Sequence, residues 1–312
     1  MQHTVDVIIP SYKPDKKLIS LVDSLENQSY PVNKIIIMNT EEAYFDELFY
    51  GRKLEDYKNI EVHHISKREF DHGDTRNRGV SYSNADIFIC MTQDAIPKDE
   101  FLVENLVKGL LQEKGIIAAY ARQLPNDTCR EIEKFTRKFN YPDTSVIKGQ
   151  EDIQRLGIKT FFCSNVCAAY HRNDFDYVGG FEHSAIFNED MIFAGHAVNK
   201  GFKIAYVSDA EVIHSHNYTN MQQLHRNFDL GVSQAMHPEV FDIVSSESEG
   251  VSMVKEVTKH LFKIGKGYQI FYFYINCGFK YIGYKLGKNY SNLSKSMIYK
   301  CTDNKMYWER QE

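Results

Sequence analysis

The chain has 312 residues, of which 43% are hydrophobic and 25% are charged, a composition typical of globular proteins and unlike that of disordered or collagen-like chains. Lys and Arg total 37 against 42 Asp and Glu, which gives a net charge of −5 at pH 7. This balance argues against non-specific binding of nucleic acid by the whole molecule.

Short apolar runs alternate with amphipathic stretches in the first part of the chain, as a parallel sheet covered by helices requires. We expect five strands, over residues 5–9, 34–38, 60–63, 87–91 and 116–119. Apolar residues from Leu18 to Leu25 recur at helical spacing between the first two strands, which predicts a βαβ unit. Further helices are expected over residues 74–83 and 101–111. The pattern is that of an open α/β fold that binds nucleotides.

The pattern becomes less regular after about residue 120. It predicts two helices and two strands: a helix over 129–139, a strand over 161–170, a helix opened by Asn188, and a strand over 203–207. An extended segment then ends in His214 and His216. Because few linker-like stretches separate these parts, we expect one domain over residues 1–235 and a C-terminal helical extension over residues 236–312.

The C-terminal extension is basic and aromatic. Residues 251–312 contain 11 Lys and Arg against 4 Asp and Glu, a local charge of +7. Apolar side chains recur there at helical steps of three and four residues, namely Tyr268, Phe271, Ile275, Phe279, Ile282 and Leu286. This face predicts a helix that covers the core of the first domain, or one that lies in an anionic membrane interface.

The sequence predicts a cytoplasmic protein. The N-terminus lacks the basic and apolar regions of a secretory signal, and no apolar run reaches the length of a membrane span. The six cysteines are scattered, without the spacing of a disulfide framework or a zinc site. They favour a reducing compartment.

Polar residues follow the first two predicted strands. Pro10, Ser11 and Tyr12 lie in the turn that follows the first strand, without a G-x-G-x-x-G fingerprint, which disfavours a dinucleotide dehydrogenase. Thr40 follows the second strand and could offer polar atoms to a base or ribose. Ligands settle at such strand ends in open α/β sheets, although polar turns also occur there without a ligand.

The segment from Phe70 to Gly79 places acceptors, donors and cations at the start of a helix. Backbone amides and the helix dipole favour an anion at this position, so Asp71, His72 and Arg76 are candidates for binding a nucleotide diphosphate. The alternative is an ordinary helix with Asp74 as its N-cap.

Gln93 and Asp94 follow the buried strand over residues 87–91, where a carboxylate could hold a hard divalent cation. Extended geometry directs the imidazoles of His214 and His216 to one side. Together with Asp94 they predict an oxygen and nitrogen site suited to Mg²⁺ or Mn²⁺. Turn formation by Asp94 and structural roles for the two histidines are the alternatives.

An acidic pair, Glu189 and Asp190, opens a predicted helix. Acidic residues in a first turn ordinarily complement the helix dipole. A carboxylate at this place could also act as a general base and accept the proton of an attacking hydroxyl group.

In their order, the motifs VDVIIPSYK, HGDTRNRG, IFICMTQDA, VGGF and NED, with the later histidine, resemble inverting family-2 glycosyltransferases of the GT-A fold over roughly residues 4–235. The segments FDHGDTRNRG, TQDA and HSHNYT look like those of bacterial rhamnosyltransferases that use dTDP-β-L-rhamnose in rhamnan, capsule and O-antigen synthesis.

This resemblance implies a role for each matching residue. Asp94 would hold the metal that bridges the donor diphosphate, and His214, with His216 beside it, would be a further ligand. Asp190 would be the catalytic base, and Glu189 would support it or contact the acceptor. Two departures are visible: Gln93-Asp94-Ala95 stands where most relatives have Asp-x-Asp, and Asn39-Thr40-Glu41 replaces an acidic pair.

The resemblance also implies the partners. They are a nucleotide-sugar donor and a saccharide acceptor on a polyprenyl diphosphate, with the enzyme peripheral at the inner face of the plasma membrane. Another dTDP- or UDP-linked hexose as donor, a metal-dependent hydrolase and a non-catalytic scaffold at the membrane are the alternatives. The sequence leaves the oligomeric state open.

Overall fold

The computed structural model describes residues 2–49, 57, 59–243 and 247–311. Within these residues, nine strands form one mixed sheet. The strands are β1 (Val5–Tyr12), β2 (Lys34–Thr40), β3 (Ile60–Ile65), β4 (Ile87–Met91), β5 (Ile96–Pro97), β6 (Ile116–Leu124), β7 (Val146–Lys148), β8 (Cys167–His171) and β9 (Lys203–Ile213).

The strand order is β3-β2-β1-β4-β8-β6-β9-β5, with β7 paired to β9. Strands β1 to β4 are parallel to their neighbours in that half, and β8 runs antiparallel to both β4 and β6. The carboxyl ends of β1, β2 and β4 therefore meet at one edge, where ligands bind in open α/β sheets.

Helices flank this sheet and form the C-terminal part of the chain. They are α1 (Lys16–Glu26), α2 (Glu42–Phe49), α3 (His72–Ser81), α4 (Leu102–Leu110), α5 (Glu131–Asn140), α6 (Ile153–Leu156), α7 (Arg172–Val178), α8 (Glu189–Asn199), α9 (Asn220–Met236), α10 (Pro238–Phe241), α11 (Glu247–Lys263), α12 (Gln269–Lys288), α13 (Lys295–Cys301) and α14 (Lys305–Arg310).

The core lies on both faces of the sheet because successive side chains of a strand point to opposite faces. On β2, Ile35 and Ile37 pack in one cluster with α1 and α4, whereas Ile36 and Met38 pack in the other with α3 and α8. The strands are thus buried on both faces, which explains their continuous apolar runs.

The five strands predicted in the first part of the chain are present, and the predicted strand over residues 161–170 is wrong in its first half. Only Cys167–His171 is extended and paired, as β8. Residues Gly157–Phe161 form a 3₁₀ turn, and Gly157 has a φ of 56°. The predicted strand over 203–207 and the extended segment after it are one strand, β9.

Most of the apolar face predicted on the last long helix does not cover the core. Tyr268, Phe271, Ile275 and Ile282 are exposed, whereas Leu286 packs against the cluster that contains Phe228 and Val232. Helix α12 packs instead on α9 through small residues: a Cβ atom added to Gly287 would lie 2.1 Å from Phe228 O. The two helices approach closely by this glycine face, and the division of the chain at residue 235 stays a prediction.

No helix of the described residues is both long and apolar enough to cross a membrane.

Candidate active site

A cleft of about 540 Å³ lies at the carboxyl edge of the sheet. Eight of the residues singled out from the sequence line it: His72, Arg76, Gln93, Asp94, Glu189, Asp190, His214 and His216. They come from α3, the ends of β4 and β9, and the start of α8. Five others are not among the residues that line the cleft, namely Pro10, Ser11, Tyr12, Thr40 and Asp71.

Three of the lining side chains form a cluster that could hold a metal ion. Oδ1 of Asp94 lies 3.5 Å from Nε2 of His214, and its Oδ2 lies 3.2 Å from Nε2 of His216. The two Nε2 atoms are 3.0 Å apart, and the three ligand atoms all lie within 4.8 Å of one another. One carboxylate and two imidazoles at this spacing fit a divalent transition metal.

A hydrogen bond orients His214 for this task. Its Nδ1 lies 3.1 Å from Oε1 of Gln123, and donation of the Nδ1 proton to that oxygen leaves Nε2 free as a ligand. Gln123 is itself held, since its Nε2 donates to Ser164 Oγ at 3.0 Å. Burial lowers the pKa of His214 to about 3, against a smaller opposing effect of Asp94. The imidazole is therefore neutral, as metal ligation requires.

The acidic pair lies at the first turn of α8. Asn188 precedes it with a φ of 62°, a left-handed conformation that Asn tolerates better than most residues. The backbone N–H of Asn165 donates to Oδ2 of Asp190 at 2.9 Å, and the Asn165 side chain donates to Oε1 of Glu189 at 3.0 Å. The loop before β8 thus fixes both carboxylates.

The two carboxylates have different surroundings and different pKa values. Burial and the neighbouring charge of Glu189 raise the pKa of Asp190 to about 7. Burial also raises the pKa of Glu189, but Arg76, His72 and Asn165 outweigh it and leave the pKa below its usual value. Glu189 is therefore ionised at neutral pH, while Asp190 is poised between its two protonation states, as a general base should be.

Arg76 forms an ion pair with Glu189 of the acidic pair. Its Nη1 donates to the His72 carbonyl at 2.8 Å and lies 3.1 Å from Oε1 of Glu189. A diphosphate-binding role for Arg76 stays a prediction, and in the protein alone the guanidinium neutralises Glu189.

Other residues of the HGDTRNRG segment contact Phe181 and Glu182, which precede the acidic pair in the chain. The Asn77 side chain donates to Phe181 O at 2.9 Å and accepts from Phe181 N at 3.0 Å. A Cβ atom on Gly73 would lie 1.9 Å from Glu182 O, so this position requires a glycine. The motif places the start of α8 against α3.

Asp71, not Asp74, is the N-cap of α3. Its side chain accepts hydrogen bonds from Gly73 N and Asp74 N, and also from Ala185 N at 3.2 Å. Its second oxygen lies 3.0 Å from Nη2 of Arg310 at the end of α14. The C-terminal segment therefore contacts the helix that carries Arg76. The predicted contact of Asp71 with a nucleotide stays a prediction.

The ends of β1 and β2 lie beside the cleft. Ser11 Oγ donates to Oε1 of Gln93 at 2.7 Å, and the Gln93 side chain also exchanges hydrogen bonds with the backbone of Tyr12. The Tyr12 ring lies edge-on to Tyr44, with centroids 5.7 Å apart. The Thr40 hydroxyl is buried and has no hydrogen-bond partner among the described residues. The recognition of a base or ribose by these groups stays a prediction.

Several cleft residues were not predicted. Asn165 lies in a loop that no sequence motif marks. Lys17 and Arg137 lie on helices, where their charges are indistinguishable in sequence from those of ordinary solvent-exposed residues. Arg226 of α9 stacks its guanidinium 4.7 Å from the ring centroid of Tyr218 and 5.2 Å from that of Phe187. These cations make the cleft suitable for an anionic ligand.

Comparison with known proteins shows the family to which the chain is similar. The profile described as Glycosyl transferase family 2 matches residues 6–179. The chain is 35% identical to the O-antigen chain rhamnosyltransferase RfbN of Salmonella typhimurium, over 97% of this chain and 96% of that protein. It is 38% identical to the O-antigen chain rhamnosyltransferase WbaN of Salmonella anatum, over 78% of each.

Two solved structures share the fold. The mannosyltransferase PcManGT from Pyrobaculum calidifontis, in complex with GDP-Man and Mn²⁺, has a TM-score of 0.62 at 12% identity, over 92% of this chain and 88% of that chain. Residues 1–349 of S. aureus TarS have a TM-score of 0.51 at 14% identity, over 92% of this chain and 91% of that chain.

Proposed function

Because this chain belongs to glycosyl transferase family 2 and has the predicted GT-A fold, it is a glycosyltransferase, and we propose that it transfers L-rhamnose from dTDP-β-L-rhamnose with inversion of configuration. The names of the two Salmonella relatives support rhamnose as the sugar, and the alignment with RfbN is nearly full-length. The observation that carries the proposal is the Asp190 carboxylate, which lines the same cleft as the Asp94 cluster.

Asp190 acts as the general base. Its carboxylate takes the proton of an acceptor hydroxyl as that oxygen bonds to the anomeric carbon and the bond to the diphosphate breaks. Attack from the face opposite the leaving group inverts the configuration. A base with a pKa of about 7 combines a useful fraction of carboxylate at neutral pH with enough basicity to accept the proton.

The diphosphate lies between the metal site and the cationic side chains of the cleft. Asp94, His214 and His216 would hold a divalent ion, which when bound neutralises charge on the departing diphosphate. The two imidazole ligands favour Mn²⁺ over Mg²⁺, since Mg²⁺ prefers oxygen ligands. Arg226 and Lys17 are placed to contact the diphosphate from the protein side.

The acceptor is a saccharide on a polyprenyl diphosphate, in the assembly of O-antigen or a similar cell-surface polysaccharide. The relatives' names support this role. Such an acceptor is anchored in a bilayer, so the enzyme works at the inner face of the plasma membrane.

A screen of nucleotide sugars tests the choice of donor. A bound donor stabilises the folded protein by mass action. With Mn²⁺ present, dTDP-β-L-rhamnose is expected to raise the melting temperature more than UDP-glucose or dTDP-glucose does, and to be the donor that supports transfer. If another nucleotide hexose has the larger effect in both assays, rhamnose is rejected as the donor sugar, and the glycosyltransferase activity is retained.

A further inference from the structure

Helix α12 carries a long apolar face that nothing in the described part of the chain covers. Nine exposed large apolar side chains lie between residues 262 and 282. We call six of them the outer face of α12: Tyr268, Phe271, Tyr274, Ile275, Tyr281 and Ile282. Tyr268 and Phe271 are 77% and 76% exposed. Exposed aromatic and aliphatic side chains concentrated on one helix face mark an interaction surface.

The opposite side of α12 is fixed to the body of the protein. Gly283 and Gly287 meet the backbone of α9 at Leu224 and Phe228, and Phe273 is buried against α11. Rotation of α12 to bury its outer face would bring bulky side chains against α9, where a Cβ atom alone already clashes. The outer face is therefore held outward by the packing.

The segment that forms this face is basic. Between residues 257 and 302 the sequence has no Asp or Glu and eight lysines: Lys259, Lys263, Lys266, Lys280, Lys285, Lys288, Lys295 and Lys300. Three of them pair with acidic residues from outside this range: Lys259 with Glu256, Lys266 with Glu131 and Lys288 with Asp242. Lys263 is exposed in the last turn of α11, next to the exposed Phe262 and Ile264. Lys285 lies over the ring of Tyr281. Exposed tyrosines and lysines together are the composition that suits a lipid headgroup region.

We propose that the outer face of α12, with the turn between α11 and α12, docks on the surface of an anionic lipid bilayer. The aromatic rings enter the headgroup region, and the exposed Lys263 contacts the lipid phosphates. A second copy of the chain is a poorer occupant, because a symmetric contact through this face would place the same lysines of both copies together.

A narrow groove leads from the cleft to α12. It is lined by His216 and Tyr218, which also line the cleft, and by Asn276 and Lys280 of α12. Asn276 and Lys280 lie on the side of α12 that faces α9, where the Asn276 side chain donates to Asn220 Oδ1 at 2.9 Å, so the outer face is free to meet a bilayer while the groove stays open to the cleft. That such docking serves a lipid-linked acceptor rests on the proposed function.

Vesicle sedimentation with the full-length protein tests the proposal. We expect binding to vesicles of phosphatidylcholine with phosphatidylglycerol, and little binding to phosphatidylcholine alone. The double variant Tyr268→Ser, Phe271→Ser should lose binding at least tenfold, and Lys263→Gln should weaken it about fivefold, as expected for one lysine near an anionic surface. Tyr177→Ser, which changes a tyrosine that is 72% exposed on α7, is the matched control and should bind normally.

Equal binding by the double variant, or equal binding to neutral vesicles, would overturn the proposal. So would a wild-type dimer in sedimentation velocity that the double variant dissociates, because the face would then be covered by a second copy. Transfer to a short-chain, water-soluble acceptor should be unchanged in the double variant. If the wild-type protein transfers the sugar but does not bind vesicles, this inference alone is rejected. If it binds vesicles but does not transfer the sugar, the proposed function alone is rejected.

Discussion

Nη1 of Arg76 lies 3.1 Å from Oε1 of Glu189, and both side chains are only 7% exposed. This buried pair lies next to the proposed base, since Glu189 precedes Asp190 in the chain. The negative charge of Glu189 raises the pKa of Asp190, and the positive charge of Arg76 lowers it. The pair therefore adjusts the basicity of the group that is proposed to accept the proton.

The pH dependence of transfer should follow the ionisation of the Asp190 carboxyl group. The base must be ionised, so kcat/KM is expected to rise as the pH increases through about 7 and to level off above it. Glu189→Gln removes a negative charge that raises this pKa and should move the midpoint to lower pH. The check is the pH profile of both proteins, with Glu182→Gln as the control. An unmoved midpoint would contradict the coupling between the two carboxyl groups.

The same ion pair predicts a stability effect. Glu189→Gln leaves the buried Arg76 charge without its partner and should lower the free energy of unfolding by about 3–5 kcal/mol. Adding Arg76→Met should recover part of the loss, because the unpaired charge is then gone. Urea denaturation of the two single variants and the double variant measures this, and strictly additive losses would show that the pair does not act as a unit.

Asp190→Asn should stabilise the folded protein at neutral and higher pH. The pKa of Asp190 is about 7 when folded, against a usual value of 3.8. Between these values the folded state holds a proton that the unfolded state releases, so wild-type stability from this group falls as the pH rises. Asn has no such dependence. Melting temperatures at about pH 5 and about pH 8 should show a gain for the variant that grows with pH; a constant difference would argue against the raised pKa.

Mn²⁺ should stabilise the protein through the Asp94 cluster. At a concentration near 100 times its Kd, the gain is about 2.7 kcal/mol. Asp94→Ala and His216→Ala should each abolish most of it. His183→Ala is the control, because that exposed histidine pairs with Asp74 and does not line the cleft. Full stabilisation of the Asp94→Ala protein by Mn²⁺ would place the metal elsewhere.

The contact of Arg310 with Asp71 should matter for stability. Arg310 also donates to the Phe70 carbonyl at 2.6 Å, so its loss removes hydrogen bonds to a buried charged group and to the backbone. Arg310→Gln should cost about 1.5–3 kcal/mol, and Lys305→Gln at the other end of α14 should cost much less. Equal unfolding midpoints in urea for Arg310→Gln and wild type would show that α14 does not restrain α3.

The parts of the site that follow directly from strand ends could be predicted from the sequence. Asp94 comes after β4 and His214 after β9, and a parallel sheet brings such ends to one edge. Asn165 could not be found this way, because it belongs to a loop whose path depends on the 3₁₀ turn before it. Its role depends on a contact with α8 that no local pattern encodes.

The C-terminal extension shows a second limit of sequence patterns. Periodicity identified the apolar stripe of α12 but not which side of the helix meets the protein. Gly283 and Gly287 determine which side packs on the protein, because they allow close contact with α9. In the sequence alone, glycines inside a helix indicate only a lower helix propensity. Arg310 and Asp71 are 239 residues apart, so their contact depends on the whole tertiary fold.

The most direct test of the proposed mechanism is sugar transfer by Asp190→Asn, measured beside donor binding by calorimetry. We expect the rate of transfer from dTDP-β-L-rhamnose to fall by about 10²–10⁴-fold, with the Kd of the donor close to that of wild type. Transfer at the wild-type rate, or a weakening of donor binding as large as the loss of transfer, would contradict the assignment of Asp190 as the base.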